Sequence, residues 1–557
     1  MTGNSVDGQG AANWAAGFTL DDVGGTASDQ ARWNGEAVIV VFDWCYPLFS
    51  AAQRSAMLSR WNSYITTLDA KEWGGPGMET SNYYWGYLRN AFEWALATYG
   101  EQPTQAKTYL DEALVRRWQH GVMPWAASTG KGGVFSEGSQ YGRYMAGYAV
   151  IPWATAEALG RDILRETNFY REGLMWLIAQ TTPAPTSGAY RIHAFSDDEN
   201  SQAANDNYWG DFVALMAVTF AGTALAGWAR QWLATVQPPV DPFMASILVS
   251  GATKPFSDLP LDYFAPGLGF WYARDRWAAD ATYVQVQSAM DTHGGHTHGD
   301  AGNFHLWRKG VWLSKESTEY SVNITGWGGS GSVGIDQGPA HNVPFVNGKG
   351  PQHDYSQNAA RTLRLASTPD VAYLATDLTS AWRASDSRFN VPEAVSVVRE
   401  FVFLRQLGVL IVLDRIQTPN ASTKVGVAIH SDTVLSLVGQ TANTVNGAQA
   451  LGIVINAESP VALRAVNEGS KGHYRLEVET SGQTVTHLVS VLTPRDANAL
   501  VVPVSVINTP TQLTVTIGSA VVVFQRGAGS SGGSVNGVPL PETVASVSVD
   551  DNGVHWS

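Results

Sequence analysis

Residues 395–416, VSVVREFVFLRQLGVLIVLDRI, decide the fold of the second half of this chain. Two apolar, largely β-branched runs of strand length flank Gln406, Leu407 and Gly408, which predict a turn between two antiparallel strands. Further short runs rich in Val, Thr and Ile, separated by turn residues, predict a large antiparallel sandwich around this hairpin. The predicted strands lie at 372–376, 395–404, 409–416, 424–430, 474–478, 487–492 and 513–524.

The first half of the chain shows the helical period instead. Apolar residues recur at three- and four-residue spacing, and turns containing Gly and Pro separate the segments. Long amphipathic helices are predicted at 51–68, 82–99, 105–118, 141–159, 163–178 and 208–233. Pro238, Pro239 and Pro242 then stop the helical pattern, because proline cannot continue a helix.

These patterns predict an α+β multidomain protein. We place a helical domain at 1–240, a linker at 241–268, an antiparallel β-sandwich domain at 269–526, and a flexible stretch with a terminal strand at 527–557. A cleft between domains is a common ligand site. We therefore expect function at the junction of the two domains.

Composition bounds the function classes. The 557 residues, 44% hydrophobic and 15% charged, are typical of a globular protein. The net charge of −14 argues against a nucleic-acid partner, although a local basic or metal-containing cleft still suits an anionic sugar polymer. Cys45 is the sole cysteine, so neither an intrachain disulfide nor a cysteine metal site is expected. The sequence contains no run of roughly 20 apolar residues, so no membrane-spanning helix is predicted.

Tryptophan and tyrosine are abundant, with 21 and 20 copies. Their rings suit stacking on the apolar faces of sugars, and a large aromatic core is an equally good explanation.

The stretch THGGHTHGD, residues 292–300, carries His293, His296 and His298. In an extended segment His296 and His298 lie on one side, and neutral imidazoles are good ligands of Zn or Mn. Further ligands must come from elsewhere, and Glu316 and His341 are the natural candidates. The alternative is a polar loop of solvated histidines.

This region resembles the heparinase II/III-like polysaccharide lyases. Their sandwich domain carries a pattern like H-x-H-x-D-A-G-x-F, present here as HTHGDAGNF at 296–304, followed by a strand like LWRKGVWL at 306–313 and a segment like HNVPFVNG at 341–348. The resemblance implies an (α/α) toroid followed by the sandwich. Because six or seven long helices precede the sandwich, we expect an incomplete toroid.

The same resemblance implies a divalent metal ion held by His298, Glu316 and His341. Zinc is the expected ion, with Mn or Ca as alternatives, and the role is structural. His296 would then face the substrate.

In the helical half, GGVFSEGSQY at 132–141 resembles the family segment that enters a cleft-lining helix, which implies a functional role for Glu137. The alternative is a carboxylate at a helix N-terminus. Relatives often carry a histidine where Val134 stands. Asn82 resembles a family asparagine that neutralises the substrate carboxylate, with Tyr83 in place of a neighbouring histidine.

The family's catalytic tyrosine lies just upstream of a loop similar to residues 195–199, which favours Tyr190 as both base and acid. Other candidates for this role are Tyr141, Tyr144 and Tyr208. The expected substrate is an acidic polysaccharide or oligosaccharide containing uronic acid. Elimination removes its C5 proton and expels the C4 oxygen, while Asn82, His296 or His193 neutralises the carboxylate.

Two other functions remain open. A glycoside hydrolase needs two carboxylates, which Glu137 with Asp197 or Asp198 provides. A non-catalytic carbohydrate-binding protein with a structural metal is the second. We expect no nucleic-acid or membrane partner, and a homodimer is compatible with the sequence. The expected location is periplasmic or secreted, although residues 1–14 show no signal peptide.

Overall fold

The computed structural model describes residues 5–20, 29–71, 73–198, 203–289, 296–352, 360–383, 390–469, 473–527 and 531–557. Helices come first and strands follow, which confirms the predicted α+β class. The helices are α1 (Ser5–Gly17), α2 (Asp29–Trp44), α3 (Ala51–Thr66), α4 (Asn82–Ala97), α5 (Pro103–Leu110), α6 (Met123–Ala127), α7 (Gly138–Tyr148), α8 (Val150–Ala158), α9 (Ile163–Glu166), α10 (Phe169–Gln180), α11 (Asn207–Thr219), α12 (Ala224–Val236) and α13 (Pro242–Ile247). A π-helical segment (Asp111–Val122) joins α5 to α6.

Local capping determines where two of these helices begin. The Ser50 hydroxyl accepts a hydrogen bond from the Gln53 backbone N–H, and the Gln53 side chain accepts one from the Ser50 N–H, a capping box at the start of α3. The Ser81 hydroxyl caps α4 by accepting a bond from the backbone N–H of Tyr83. This cap makes Asn82 the first residue of α4.

Helix α4 occupies the interior of the helical domain. Its residues from Asn82 to Ala95 are all buried, and it packs against α2, α3, α5 and α7. Helix α7 in turn packs against α11, and α11 against α12. In the described part of the chain, no helix is both long and apolar enough to cross a membrane.

The helical domain holds more long helices than predicted. Helices α1 and α2 precede the first predicted helix, and the predicted helix at 208–233 is two helices, α11 and α12. Gly222, with a φ of 86°, and the capping hydroxyl of Thr223 break it. The predicted helix at 163–178 is likewise interrupted, at Thr167, whose backbone is extended.

The strands form four larger antiparallel sheets and two strand pairs. A five-stranded meander contains β1 (Asp262–Ala265), β2 (Phe270–Arg274), β3 (Thr282–Gln287), β4 (Asn303–Arg308) and β5 (Val311–Ser314). Strands β6 (Asn323–Thr325) and β7 (Ser332–Gly334) pair with each other, and a four-stranded sheet has the order β17 (Ala462–Asn467), β18 (Tyr474–Thr480), β13 (Val425–Ser431), β8 (Pro344–Val346).

The largest sheet has eight strands in the order β14 (Ser436–Val438), β15 (Thr441–Asn446), β16 (Gln449–Asn456), β19 (Val485–Asp496), β12 (Val409–Gln417), β11 (Ser396–Leu404), β10 (Val371–Asp377), β9 (Arg361–Ser367). A five-stranded sheet then contains β20 (Val504–Asn508), β21 (Gln512–Ile517), β22 (Ala520–Gln525), β23 (Gly533–Val535) and β24 (Val538–Pro539), and β25 (Val547–Asp550) pairs with β26 (Gly553–Trp556).

The predicted hairpin at 395–416 is confirmed as β11 and β12. They pair in register from Ser396 with Gln417 to Leu404 with Val409, and Gly408 closes the turn with a φ of 62°. Phe401 packs into one apolar core, and Val402 into a second core on the opposite face of the sheet. Burial on both faces explains why these strands read as continuous apolar runs.

Three boundaries differ from the prediction. The predicted linker contains α13 and β1, so the strands begin at Asp262 rather than near 269. The predicted strand at 513–524 is the hairpin of β21 and β22, turned at Gly518 with a φ of 58°. Beyond residue 527, β23 and β24 extend the last sheet, and the β25–β26 hairpin packs against α10. There Asn168 donates to the backbone carbonyl of Val549 at 2.7 Å, so the end of the chain binds the helical domain to the sandwich.

Candidate active site

One carboxylate of the helical domain contacts two histidines of the sandwich domain. His296 Nδ1 lies 2.5 Å from Asp197 Oδ2, and His298 Nε2 lies 3.0 Å from Asp197 Oδ1. Asp197 follows Ser196 in the loop after α10, and both histidines belong to the connection between β3 and β4. His293 and its neighbours at 290–295 lie outside the described residues. This contact lies at the domain junction, and the placement of function there stays a prediction.

The backbone on both sides of this contact is unusual. Ser196 has a φ of 59° and His296 a φ of 69°, conformations that non-glycine residues rarely adopt. Such residues concentrate at functional sites, where the surrounding structure holds them in place. Burial alone would raise the pKa of Asp197, but its hydrogen bonds with His296 and His298 outweigh that effect and hold the pKa below its usual range. Asp197 is therefore an ionised partner for both rings.

Tyr141 packs against the ring of His296. The two rings stack with their centroids 3.8 Å apart and their planes at 16°. Tyr141 lies in the first turn of α7, and Ser139 ties that turn to the Asp197 loop: its backbone N–H donates to Phe195 O at 3.0 Å and its hydroxyl to Asp198 Oδ2 at 2.5 Å. Both rings are partly exposed.

A buried group of polar side chains includes Glu137, whose charge interacts with His296. Asn82 donates to Glu137 Oε2 through both its backbone N–H, at 2.6 Å, and its side-chain Nδ2, at 2.7 Å. Arg32, on α2, donates to the side-chain oxygen of Asn82 and pairs with Asp29 at 2.7 Å. Asn82 is 0% exposed, and its side-chain amide contacts both Arg32 and Glu137. Burial raises the pKa of Glu137 to about 7, against the opposing effects of the His296 charge and the Asn82 bonds.

The other candidate tyrosines lie at different distances from this group. The Tyr144 ring, further along α7, is 6.2 Å from that of Tyr141, and the Tyr208 ring, on α11, is 5.0 Å from that of Tyr144. Tyr190 instead lines a separate cavity of about 260 Å³ together with Trp232 and Trp277. The structure brings Tyr141 to His296 and shows no such contact for Tyr190 among the described residues.

His193 is also placed away from an accessible surface. It is fully buried, its Nδ1 lies 3.2 Å from the Tyr272 hydroxyl, and burial lowers its pKa to about 3. A neutral, enclosed imidazole is poorly suited to meet a substrate carboxylate.

A second cluster lies on the sandwich side and has the chemistry of a metal site. One ligand atom from each of Asp300, Glu316 and His341 lies within 4.8 Å of the others, and all three residues are buried. Asp300 Oδ2, Glu316 Oε1 and His341 Nε2 have no hydrogen-bond partner among the described residues. Three orphaned polar atoms in one buried place are costly unless an ion binds them. Carboxylate and imidazole ligands together suit a divalent cation.

Neighbouring bonds hold these ligands in place. Glu316 Oε2 lies 2.5 Å from His341 Nδ1 and accepts a 2.6 Å bond from Asn303, while Gln287 donates to Asp300 at 3.1 Å. Glu316 and His341 thus come together as predicted, and Asp300 completes the cluster. His298 is directed to Asp197 instead, although its ring centroid is 5.3 Å from that of His341. Its role as a metal ligand stays a prediction.

Comparison with known proteins bears on the fold. No protein-family model matches the sequence, and no curated protein matches it. Solved structures do match. The heparan sulfate lyase HepC from Pedobacter heparinus is 13% identical with a TM-score of 0.59, over 95% of this chain and 80% of that one. A heparinase III is 10% identical with a TM-score of 0.63, over 94% and 80% of the two chains.

The chain has a heparinase III-like fold. At these identities the likeness concerns the fold alone, and it confirms the predicted helical domain followed by an antiparallel sandwich. The resemblance seen in the HTHGDAGNF segment is therefore matched by the architecture of nearly the whole chain.

Two residues of the site escaped the sequence-based prediction. Arg32 lies on α2, whose first turns precede the apolar run that marks a helix in the sequence. Asp300 was not predicted as a ligand, although it is the Asp of the HTHGDAGNF segment. The spacing of two residues from His298 to Asp300 was the available signal.

Proposed function

We propose that this protein is a polysaccharide lyase that cleaves a uronic-acid-containing acidic polysaccharide by β-elimination at the junction of its two domains. The observation that carries the proposal is the stack of Tyr141 on His296, with His296 held by the ionised Asp197. Lyases among the solved structures of the same fold support the general class of reaction.

Charge neutralisation is the first requirement of this chemistry. Removing the C5 proton of a uronate builds negative charge beside a carboxylate that is already negative. His296 can meet that carboxylate with a ring nitrogen, because Asp197 Oδ2 lies 2.5 Å from its Nδ1 and holds the ring in place. Glu137 adds a second carboxyl group whose charge interacts with His296.

Proton transfer is the second requirement. We assign to Tyr141 the role that the sequence predicted for Tyr190: its phenolate takes the C5 proton, the C4–O bond breaks, and the phenol returns the proton to the leaving oxygen. The His296 ring centroid lies 3.8 Å from that of Tyr141, so the two groups can act on the same sugar unit. Asn82 supports this site from below through Glu137, and its direct contact with a substrate stays a prediction.

The metal would have a supporting role. Asp300, Glu316 and His341 would hold a divalent cation, with zinc or Mn favoured over Ca because one ligand is an imidazole. Such an ion would bind the β3–β4 connection, which carries His296, to the segment that carries His341. It would thereby fix the sandwich wall of the site.

The test compares Tyr141→Phe with Tyr190→Phe on a panel of uronate polymers, including heparan sulfate and alginate. Elimination creates a conjugated, unsaturated uronate, so turnover is followed by ultraviolet absorbance. Tyr141→Phe is expected to lose about 10²–10⁴-fold in rate while still binding polymer, and Tyr190→Phe is expected to retain wild-type turnover. The reverse pattern would return the role to Tyr190, and polymer binding by the wild type without any turnover would favour a carbohydrate-binding protein.

A glycoside hydrolase is the second candidate, and one observation favours it. Glu137 has a raised pKa of about 7 while the pKa of Asp197 is lowered, the pattern of an acid and an ionised carboxylate. Hydrolysis produces new reducing ends without ultraviolet absorbance, so the same assay separates the two reactions. Because such polymers occur outside the cytoplasm, we keep a periplasmic or secreted location as part of the proposal.

A further inference from the structure

Most of the 21 tryptophans are buried in the protein interior. Trp61, Trp94 and Trp118 are fully buried, as are most of the others. Among the described residues four tryptophans are exposed, and two of them, Trp33 at 50% and Trp73 at 40%, lie beside the buried polar group of the candidate active site. Large exposed rings that gather next to a site indicate a binding surface.

Short contacts connect these two rings to that site. The Arg32 guanidinium lies 4.9 Å from the Trp33 ring centroid and 4.0 Å from that of Tyr83, and the Tyr83 ring is 5.5 Å from Trp73. The same guanidinium donates to Asn82, which contacts Glu137. The two tryptophans are therefore connected through Arg32 and Tyr83 to Asn82 and Glu137, and the charge of Glu137 interacts with His296.

Two further features set this surface apart from ordinary exposed tryptophans. Trp73 has a φ of 57°, a conformation that is strained for a bulky residue and persists where a site requires it. Arg32 is 4% exposed, and its Nε has no hydrogen-bond partner among the described residues. A buried donor left unpaired beside exposed rings points to a ligand that brings an acceptor.

We propose that Trp33 and Trp73, with Arg32 between them, form a sugar-binding subsite that takes the pyranose ring next to the uronate undergoing elimination. The C–H face of the ring stacks on indole, and a ring hydroxyl or ring oxygen accepts from Arg32 Nε. Because Asp29 neutralises Arg32 at 2.7 Å, the subsite selects the face of the ring rather than its charge. This inference rests on the proposed function for the identity of the neighbouring unit.

The experiment uses Trp33→Ala, Trp73→Gly and Trp73→Phe in the full chain. Trp44→Ala is the matched control, because Trp44 lies on the same helix as Trp33 and is 55% exposed. Glycine adopts the positive φ of position 73 without strain, so Trp73→Gly removes the ring without a backbone penalty. A purely structural role predicts unchanged affinity in this variant. The readouts are KM and kcat on whichever polymer yields unsaturated product, and retardation in native gels that contain heparan sulfate or alginate.

Trp33→Ala and Trp73→Gly are each expected to raise KM about tenfold, equivalent to one stacking contact, with kcat within about twofold of the wild type. Trp73→Phe should recover most of the affinity, and Trp44→Ala should match the wild type. The losses should persist in 0.5 M salt, since screening weakens charge pairs but not stacking. Unchanged KM in both variants would overturn the proposal.

The gel measurement separates this proposal from the proposed function. A wild type that yields no unsaturated product contradicts the proposed lyase activity. The subsite is then tested by gel retardation alone. Retardation that is lost in Trp33→Ala and Trp73→Gly but kept in Trp44→Ala supports it. Equal retardation of all variants, or none for the wild type on either polymer, overturns it.

Discussion

Replacing Asp197 by Asn removes the charge that orients both histidines on the sandwich side of the site. The carboxylate contacts His296 at 2.5 Å and His298 at 3.0 Å, and its side chain is only 13% exposed, so solvent replaces little of the lost interaction. A hydrogen bond to a charged group is worth about 1.5–3 kcal/mol. If the imidazolium of His296 acts in the transition state, kcat should fall by roughly 10- to 150-fold.

The assay is ultraviolet detection of unsaturated uronate. Glu458→Gln is the matched control: Glu458 Oε1 lies 2.6 Å from His487 Nδ1 within the sandwich, and its other partner is Arg526. That variant should lose stability but keep its kcat. Unchanged kcat in Asp197→Asn would refute this role of His296.

Three further outcomes are expected. Folded Glu137, with a pKa raised to about 7 from 4.5, binds a proton that the unfolded chain releases, so wild-type stability should fall as pH rises from about 4.5 to 7, by up to about 3 kcal/mol. Glu137→Gln should lack this fall in pH-dependent denaturation, and parallel curves would contradict the raised pKa. A chelator should lower the melting temperature of the wild type by several degrees but not that of Asp300→Asn or Glu316→Gln, and the metal content of each protein is measured. Equal losses in all three proteins would argue against a metal ion at this cluster. Tyr144→Phe, one ring further along α7, should retain substantially more activity than Tyr141→Phe, and equal losses would remove the special role of the stacked ring.

The fold was largely predictable because its signals are local. The hairpin of β11 and β12 follows from two apolar runs around Gly408, and burial on both faces only strengthens that pattern. The breaks in the helices were not predictable, because a single residue with a special conformation, such as Gly222, interrupts an otherwise continuous period. Helix α2 was missed because its first turns carry no apolar stripe.

The site was predictable where its residues share one short segment. His296, His298 and Asp300 are two residues apart, but the positive φ of His296 redirects the chain, so spacing alone did not show which would meet Asp197 and which the metal cluster. Tyr190 shows that closeness in sequence does not imply closeness in space. It follows a turn at Ser187 and Gly188, both with positive φ. The seven residues from Tyr190 to Asp197 can span roughly 23 Å when extended.

Elimination leaves an unsaturated uronate end at every bond it cleaves, whereas hydrolysis leaves none. New reducing ends and unsaturated uronate ends are counted in the same digest of a uronate polymer by the wild-type protein. If the site performs elimination, one unsaturated end forms for each new reducing end, and both are lost in Tyr141→Phe. Reducing ends that accumulate without ultraviolet absorbance would contradict it.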